Sequence, residues 1–264
     1  MFKKFLKQIQ VTRELNTFKQ YQQALNKFKD KPINTDTVLD FIKTKGLSNN
    51  TKKMYLMIYA QALAHENLLT KEIKLLIKGI RAEHEIQPCP TNREVKTIIY
   101  STNNTMYRAI VGCMAYSGMR ISEVLNILVF DIDLIDNKIL LRKTKNHSQR
   151  YVAISYKLKP LLENWLCSCF RVKGLYLFTS PSSRAKDKPY NKTSIQKIVK
   201  ELCVNAGYPE YHCHSFRHYF ATTLYKKSNN NLMITARACG HKSINTTARY
   251  IGTSVEDILT VLNK

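Results

Sequence analysis

Apolar residues in the first 85 positions recur three and four residues apart, the spacing that places them on one face of an α-helix. The pattern predicts four short helices: one around Phe18, Tyr21, Leu25 and Phe28, a second from a cap at Thr35 to near Gly46, a third over about 51–67 and a fourth over about 71–80. Residues 1–85 are therefore predicted to form a helical domain.

Pro88 and Pro90 interrupt this pattern in a stretch with few large apolar residues, which predicts a linker over residues 86–92. Helical and alternating patterns are mixed beyond it. Helices are predicted over about 93–100, 107–116, 157–170, 193–205 and 215–227, and strands over 132–134, 138–142 and 151–154. The predicted fold class is mainly α, of the α+β type, with a mixed second domain over residues 93–264 that contains a small antiparallel sheet.

The charge of the chain changes this picture, because Lys and Arg number 42 against 19 Asp and Glu, a net charge of +23. Residues 1–85 carry 16 basic and 8 acidic side chains, and residues 86–264 carry 26 and 11. An excess spread over both domains is typical of a protein that holds a polyanion such as DNA with both. Four lysines flank the second and third helices and are candidate DNA contacts, the alternative being an ordinary solvated surface: Lys43, Lys45, Lys52 and Lys53.

Other classes of protein fit the sequence poorly. A run of about 18 apolar residues, which a membrane span needs, does not occur, and neither does a secretory leader. The seven cysteines are odd in number and lack a disulfide-framework spacing, which favours a reducing compartment such as the cytoplasm. We also find no glycine-rich phosphate loop and no acidic metal cluster, so no cofactor is expected.

The segment from Ala115 to Leu125 is the first candidate for chemistry. Gly118 is predicted to end one helix and Ser122 to help open the next, which places Arg120 at the junction. A guanidinium held between two helices offers a rigid fork for phosphate oxygens. A purely structural arginine is the alternative for this segment taken alone.

The second candidate is His214-Ser-Phe-Arg217-His218. His214 and Arg217 lie three residues apart, on one face of the predicted helix, where together they could hold two oxygens of one phosphate. A zinc site is the alternative, because histidines and a cysteine crowd between residues 212 and 218. Ser215 stands where a zinc-protease helix needs Glu, and no Cys-x-x-Cys pair is present, so no metal is expected.

The third candidate runs from Gly240 to Tyr250. Gly240 is predicted to end a helix and Ser243 or Asn245 to start the next, which puts His241 in the turn and Tyr250 nine residues further on. Taken alone, Tyr250 could equally be a packing residue among the 15 tyrosines.

Together, and in this order, the three segments resemble the tyrosine recombinase (phage integrase) family. The resemblance is carried by Ser-Gly-Met-Arg-Ile-Ser-Glu-Val at 117–124, His-Ser-Phe-Arg-His at 214–218 and Gly-His-Lys-Ser-Ile-Asn-Thr-Thr-Ala-Arg-Tyr at 240–250. It covers about residues 90–264, and the helical front part is similar to the family's core-binding domain. Three departures from the family's pattern are Cys239 before Gly240, Ser215 after His214 and Gly252 after Tyr250, and none of them removes a catalytic group.

The resemblance implies a role for each matched residue. Arg120 and Arg217 would hold the scissile phosphate, His214 and His241 would assist, and Tyr250 would be the nucleophile that forms a 3′-phosphotyrosyl bond. Lys145, with Lys143 as the alternative, would be the family's hairpin lysine, and Glu123 would support the pocket. The implied function is a site-specific DNA recombinase or integrase from a mobile element, with a type IB topoisomerase or an inactive DNA-binding protein as alternatives.

The resemblance also implies partners. Double-stranded DNA would be the substrate, held by a homo-tetramer on two DNA sites. Near the end of the chain four apolar residues form one helical stripe: Val255, Ile258, Leu259 and Leu262. This segment is expected to dock on a neighbouring protomer, the alternative being its own catalytic domain. The length of the chain predicts no additional arm-binding domain.

Overall fold

The structure is a computed structural model that describes residues 2–81, 88–142, 149–168, 175–180 and 188–241. Contacts group the chain into two compact units, residues 1–85 and 86–264. Each unit has a hydrophobic core of its own.

The first unit is a bundle of five helices, α1 Lys3–Thr12, α2 Leu15–Asn26, α3 Thr35–Lys43, α4 Asn49–His65 and α5 Lys71–Gly79. Helix α2 packs against α1 and α4, and α3 packs against α4 and α5. The core is aromatic, with the rings of Phe28 and Tyr59 stacked at 4.1 Å between centroids. The four predicted helices are confirmed as α2 to α5, and α1 is an addition that buries Phe5 and Ile9, with Leu6 partly buried beside them.

Polar caps decide where the last three of these helices begin. The sequence analysis was wrong on the cap of α3, because Asn34 rather than Thr35 accepts a hydrogen bond from the Thr37 N–H, at 2.9 Å. Asn34 has the extended backbone of a cap, whereas Thr35 is already helical. Ser48 and Thr70 cap α4 and α5 in the same way. Each such cap stabilises its helix by about 1 kcal/mol.

Among its described residues, the second unit combines seven α-helices with one sheet. The helices among its described residues are α6 Asn92–Tyr100, α7 Thr105–Ser117, α8 Ile121–Leu125, α9 Lys159–Ser168, α10 Lys192–Asn205, α11 Cys213–Lys227 and α12 Leu232–Cys239. Helix α7 lies at the centre, packed against α6, α8, α9 and α11. Its apolar residues occur on all sides, as expected for a helix surrounded by other elements.

The sheet has the strand order β1-β2-β3, with β1 Ile132–Asp133, β2 Lys138–Leu141 and β3 Arg150–Ala153. All neighbours are antiparallel, and Ile139 of β2 pairs with Val152 of β3. Both of these side chains are buried in the core. The predicted hairpin and third strand are thus confirmed, each with ends shifted by a residue or two.

Two local predictions in this unit need correction. Helix α6 begins at Asn92, within the predicted linker, because Thr91 and Glu94 form a capping box. Ser122 does not cap α8: the Glu123 carboxylate accepts the Arg120 N–H instead, at 2.8 Å. Ser122 is already the second residue of α8, past the N-cap position from which a hydroxyl can cap a helix.

In the part of the chain that the structure describes, we find no helix with the length and apolar character needed to cross a membrane.

Candidate active site

Four elements of the second unit bring the candidate residues together. Arg120 and Glu123 lie at the junction of α7 and α8, and His214 and Arg217 lie in the first half of α11. His241 lies two residues after the end of α12. The fourth element is β3, which begins with Arg150. The described candidates of all three sequence motifs therefore meet in one site.

Glu123 lies at the centre of this site, with a side chain only 1% exposed. One carboxylate oxygen lies 2.9 Å from Arg120 Nη1, and the other lies 3.0 Å from Arg150 Nη2 and 3.7 Å from Arg217 Nη1. Burial would raise the pKa of Glu123, but the Arg120 N–H and the three guanidinium groups lower it below its usual value. Glu123 is therefore ionised, and the group of four side chains keeps an excess of two positive charges.

Arg217 is almost fully buried and fixes the two turns that border the site. Its Nη1 donates to the carbonyl oxygen of Gly118 and its Nη2 to that of Cys239. Nη2 also lies 3.0 Å from Nε2 of His241. Burial first, and then repulsion from Arg120, lowers the pKa of Arg217 to about 10, so the guanidinium stays charged at neutral pH.

The contact between Arg217 and His241 determines which imidazole nitrogen carries the proton. A guanidinium has no acceptor, so Nε2 of His241 must be unprotonated and the ring proton lies on Nδ1. Burial and the nearby Arg217 lower the pKa of His241 to about 4, in agreement with a neutral ring. His214 lies closer to solvent, yet loss of hydration and the same arginine lower its pKa to about 4.

Two glycines are required by this packing. Gly118 ends α7 in the left-handed region with φ of +64°, and a Cβ there would lie 2.2 Å from a ring carbon of Phe220. Gly240 ends α12 with φ of +62°, and a Cβ there would lie 2.8 Å from the guanidinium carbon of Arg150. Both turns therefore depend on residues without side chains.

The sequence analysis missed Arg150. Its guanidinium donates to Glu123 at 3.0 Å and to the carbonyl oxygen of Ala238 at 2.7 Å. The sequence pattern could have revealed it, because residues 150, 152 and 154 share one face of the strand. Val152 and Ile154 are buried, so Arg150 points inward with them. A cation on an inward face needs a carboxylate partner, and that partner is Glu123.

The remaining candidates are placed differently. Lys43 and Lys45 are exposed on the first unit. Lys52 is buried and donates to the Ile42 carbonyl at 2.7 Å, and Lys53 donates to the Ile80 carbonyl at 2.8 Å. These two ammonium groups thus stabilise the carbonyl ends of α3 and α5. Lys143, Lys145, Tyr250 and the apolar stripe from Val255 to Leu262 lie outside the described residues.

A metal centre was the alternative for the histidine-rich segment. Among the residues described, no three His, Cys, Asp or Glu side chains form a group that could hold a metal ion. Nδ1 of His212 lies 3.1 Å from the hydroxyl oxygen of Ser215. Cationic side chains are therefore the charged groups available to an anion in the described site.

Comparison with known proteins identifies the family. The model of the phage integrase family matches residues 89–256. The chain is 27% identical over 170 residues to a tyrosine recombinase of Pseudothermotoga lettingae, covering 64% of this chain and 57% of the relative. It is 26% identical over 223 residues to tyrosine recombinase XerA of Saccharolobus solfataricus, covering 83% of this chain and 69% of the relative. The chain thus spans between 57% and 69% of the length of these two relatives.

Solved structures share the fold. The XerH site-specific recombinase bound to palindromic difH substrate aligns with a TM-score of 0.76 and 22% identity, over 99% of this chain and 83% of that one. A lambda integrase tetramer bound to a Holliday junction aligns with a TM-score of 0.74 and 13% identity, over 95% and 76%. With a family match over most of the second unit and the same fold, the chain belongs to the phage integrase family of tyrosine recombinases.

Proposed function

We propose that this chain is a site-specific DNA recombinase or integrase that cuts and rejoins duplex DNA through a covalent bond to Tyr250. The observation that supports it most is that Arg120 and Arg217 share one buried carboxylate, with His241 in contact with Arg217 and with His214 close enough that, besides burial, the same arginines lower its pKa. Their excess positive charge matches a phosphodiester, and the family match, which includes residue 250, supports Tyr250 as the nucleophile. A protein that only bound DNA would not need neutral imidazoles beside the arginines.

The proposed reaction begins with Tyr250. Its phenol oxygen attacks the scissile phosphorus and loses its proton, the bond from phosphorus to the 5′-oxygen breaks, and a 3′-phosphotyrosyl bond forms. A phenol has a pKa near 10, so it needs positive charge beside the phosphate to react at neutral pH. The 5′-oxygen leaves with a proton that Lys145 donates. Rejoining reverses these steps with the 5′-hydroxyl of a partner strand, so neither ATP nor a metal ion is required.

The described residues take complementary roles in this proposal. Arg120 has the most exposed guanidinium of the three, with 25% of its side chain accessible, and it contacts one non-bridging phosphate oxygen. Arg217 stabilises the negative charge that develops on the phosphate. It also orients His241, whose Nδ1–H is a hydrogen-bond donor. Removal of one such preorganised donor costs about 10²–10³ in rate. Glu123 keeps the arginines at fixed positions and does not touch the substrate.

The helical unit is proposed to complete a clamp around the duplex. Lys43 and Lys45 are its exposed candidates for phosphate contacts, and Lys52 and Lys53 have remaining hydrogens beyond those given to helix carbonyls. Such contacts would strengthen binding of all sequences and make it dependent on salt. We place the protein in the cytoplasm of a prokaryotic cell or of the host of a mobile element.

We also propose that four protomers assemble on two DNA sites, joined by the segment from Val255 to Leu262. The lambda integrase tetramer, which has the same fold, supports this arrangement. Deletion of residues 253–264 should spare binding of one protomer to a half-site but abolish pairing of sites and recombination, as measured by sedimentation with DNA. A truncated protein that still paired sites would contradict the tether. A full-length monomer that relaxed supercoils without pairing sites would favour the topoisomerase.

Capture of the cleaved DNA tests the proposed function as a whole. Genomic fragments are incubated with the protein, the mixture is denatured, and DNA that remains attached to protein is sequenced. The proposal predicts that the captured DNA fragments share one target sequence and that the protein is attached to the 3′ end of the break. Adducts at random positions, or attachment to 5′ ends, would contradict it.

A further inference from the structure

Arg150 joins three separate parts of the second unit through one side chain. It belongs to β3, it reaches Glu123 at the α7–α8 junction, and it reaches the carbonyl oxygen of Ala238 at the end of α12. Only 17% of the side chain is exposed. Elements distant in sequence thus set the position of the Arg150 guanidinium. The guanidinium in turn fixes the distances between β3, the α7–α8 junction and the end of α12.

The turn held by Arg150 is the one that carries His241. Ala238 lies three residues before His241, and Gly240 packs directly on the guanidinium, where a Cβ would meet both Nε and Cζ at 2.8 Å. Helix α12 ends at Cys239, so two carbonyl groups of its last turn, those of Ala238 and Cys239, receive arginine donors. Arg150 and Arg217 therefore hold this turn from two sides, and Arg120 adds a longer bond to the Gly240 carbonyl at 3.4 Å.

Loss of the Arg150 guanidinium would still leave the buried carboxylate paired. Glu123 would retain Arg120 at 2.9 Å and Arg217 at 3.7 Å. The Ala238 carbonyl would lose its hydrogen-bond donor, and Gly240 would lose the guanidinium group that packs against it. The main expected consequence is a displaced His241 turn rather than an unpaired buried charge.

From this geometry we infer that Arg150 is a positioning residue, which holds the turn between α12 and His241 against Glu123 so that His241 faces the scissile phosphate. The inference rests on the proposed function, since it assigns His241 a place in DNA cleavage. Arg150 itself does not need to touch DNA. A displacement of about 1 Å at a reacting group can cost about 10² in rate, which sets the size of the expected effect.

The experiment is a double-mutant cycle on the rate of single-turnover cleavage. Arg150→Gln alone should slow cleavage by about 10- to 100-fold with unchanged affinity for a half-site. In a His241→Ala background the same substitution should have almost no further effect, because the residue being positioned is gone. In a His214→Ala background it should retain its full effect, since His214 lies on α11 and not on the turn.

Arg142→Gln is the matched control. Arg142 directly follows the neighbouring strand β2 and is paired with Asp131 at 2.7 Å, an ion pair separate from the one between Arg150 and Glu123. The Arg142→Gln substitution should show no coupling to His241→Ala, although it can change the cleavage rate or the affinity for DNA. If Arg150→Gln is less stable than the parent, Arg150→Lys keeps a charge beside Glu123 without the two-pronged fork, and it should show the same coupling.

Three results would overturn the inference: an unchanged cleavage rate in Arg150→Gln, full additivity with His241→Ala, or full activity in Arg150→Lys. Failure of the proposed function looks different, because the parent protein itself would then form no covalent DNA adduct. The two outcomes are therefore distinguishable in the same set of reactions.

Discussion

Replacement of Glu123 by Gln removes one charge and almost no volume, so it isolates the electrostatic role of the buried carboxylate. Arg120, Arg150 and Arg217 lie 2.9, 3.0 and 3.7 Å from its oxygens. An amide leaves three buried or half-buried cations without a counterion and turns an N–H group toward at least one of them. Breaking a buried ion pair in this way costs about 3–5 kcal/mol.

That cost translates into a large thermal shift. The second unit has about 180 residues, for which 1 kcal/mol lowers the melting temperature by about 2–4 °C. Glu123→Gln should therefore lower the melting temperature of this unit by about 6–20 °C at pH 7. Circular dichroism or calorimetry on the DNA-free protein measures the shift.

The stabilisation by Glu123 should also depend on pH, in a direction that its lowered pKa determines. The pKa of Glu123 in the folded protein lies below the usual value of 4.5, so its stabilisation is complete above that pH. It is lost as the pH falls through the lowered pKa. The difference between the parent and Glu123→Gln should thus be constant from pH 7 to about 5 and narrow below about 4.5.

Glu94→Gln provides a control in the same unit. Glu94 accepts the Thr91 N–H at 2.7 Å in a capping box and has no arginine partner among the described contacts. Its replacement should cost only about 1 kcal/mol. A melting temperature of Glu123→Gln within 2–3 °C of that control would refute the view that Glu123 balances the three arginines.

Three further predictions concern protonation and metal. The pKa of both His214 and His241 is lowered to about 4, so between pH 6.5 and 4 the unfolded chain binds protons that the folded protein does not. The free energy of unfolding should therefore fall as the pH is lowered from 6.5 to 4. His214→Gln and His241→Asn should each reduce this dependence on pH in denaturant titrations. Lys145→Ala should slow cleavage strongly on normal DNA and recover on DNA with sulfur at the leaving 5′ position, which needs no proton; equal defects on both would place Lys145 in binding. EDTA should leave cleavage unchanged, and restoration by Mg²⁺ of an activity lost to EDTA would contradict the cationic mechanism.

Hydrophobic spacing was sufficient to predict most of the fold. Strands β2 and β3 alternate between more and less buried residues, and helix α7 lies close to its predicted range although it is apolar on all sides. Helix α1 was not predicted, although Phe5, Leu6 and Ile9 recur at helical spacing and pack on the core of the first unit. The short helix α8 is too brief for a period, and it depends on the Glu123 carboxylate for its first hydrogen bond.

The motifs predicted which side chains would meet, but not how they are held. The arginines donate to backbone carbonyls, those of Gly118, Ala238, Cys239 and Gly240, and no residue type in the sequence identifies a carbonyl acceptor. The role of Arg150 depends on the pairing of β3 with β2 and on the close approach to Gly240, which are tertiary facts. The tautomer of His241 likewise follows only from the position of Arg217.

The central claim is that Tyr250 is the nucleophile, and peptide mapping of a trapped protein–DNA adduct tests it most directly. DNA containing the captured site is nicked beside the scissile position so that rejoining is prevented, and the adduct is digested with protease and nuclease. We predict a nucleotide mass on the peptide that contains Tyr250, and no adduct in Tyr250→Phe although half-site binding persists. An adduct that survives in Tyr250→Phe, or a nucleotide on a different residue of the parent protein, would contradict the account.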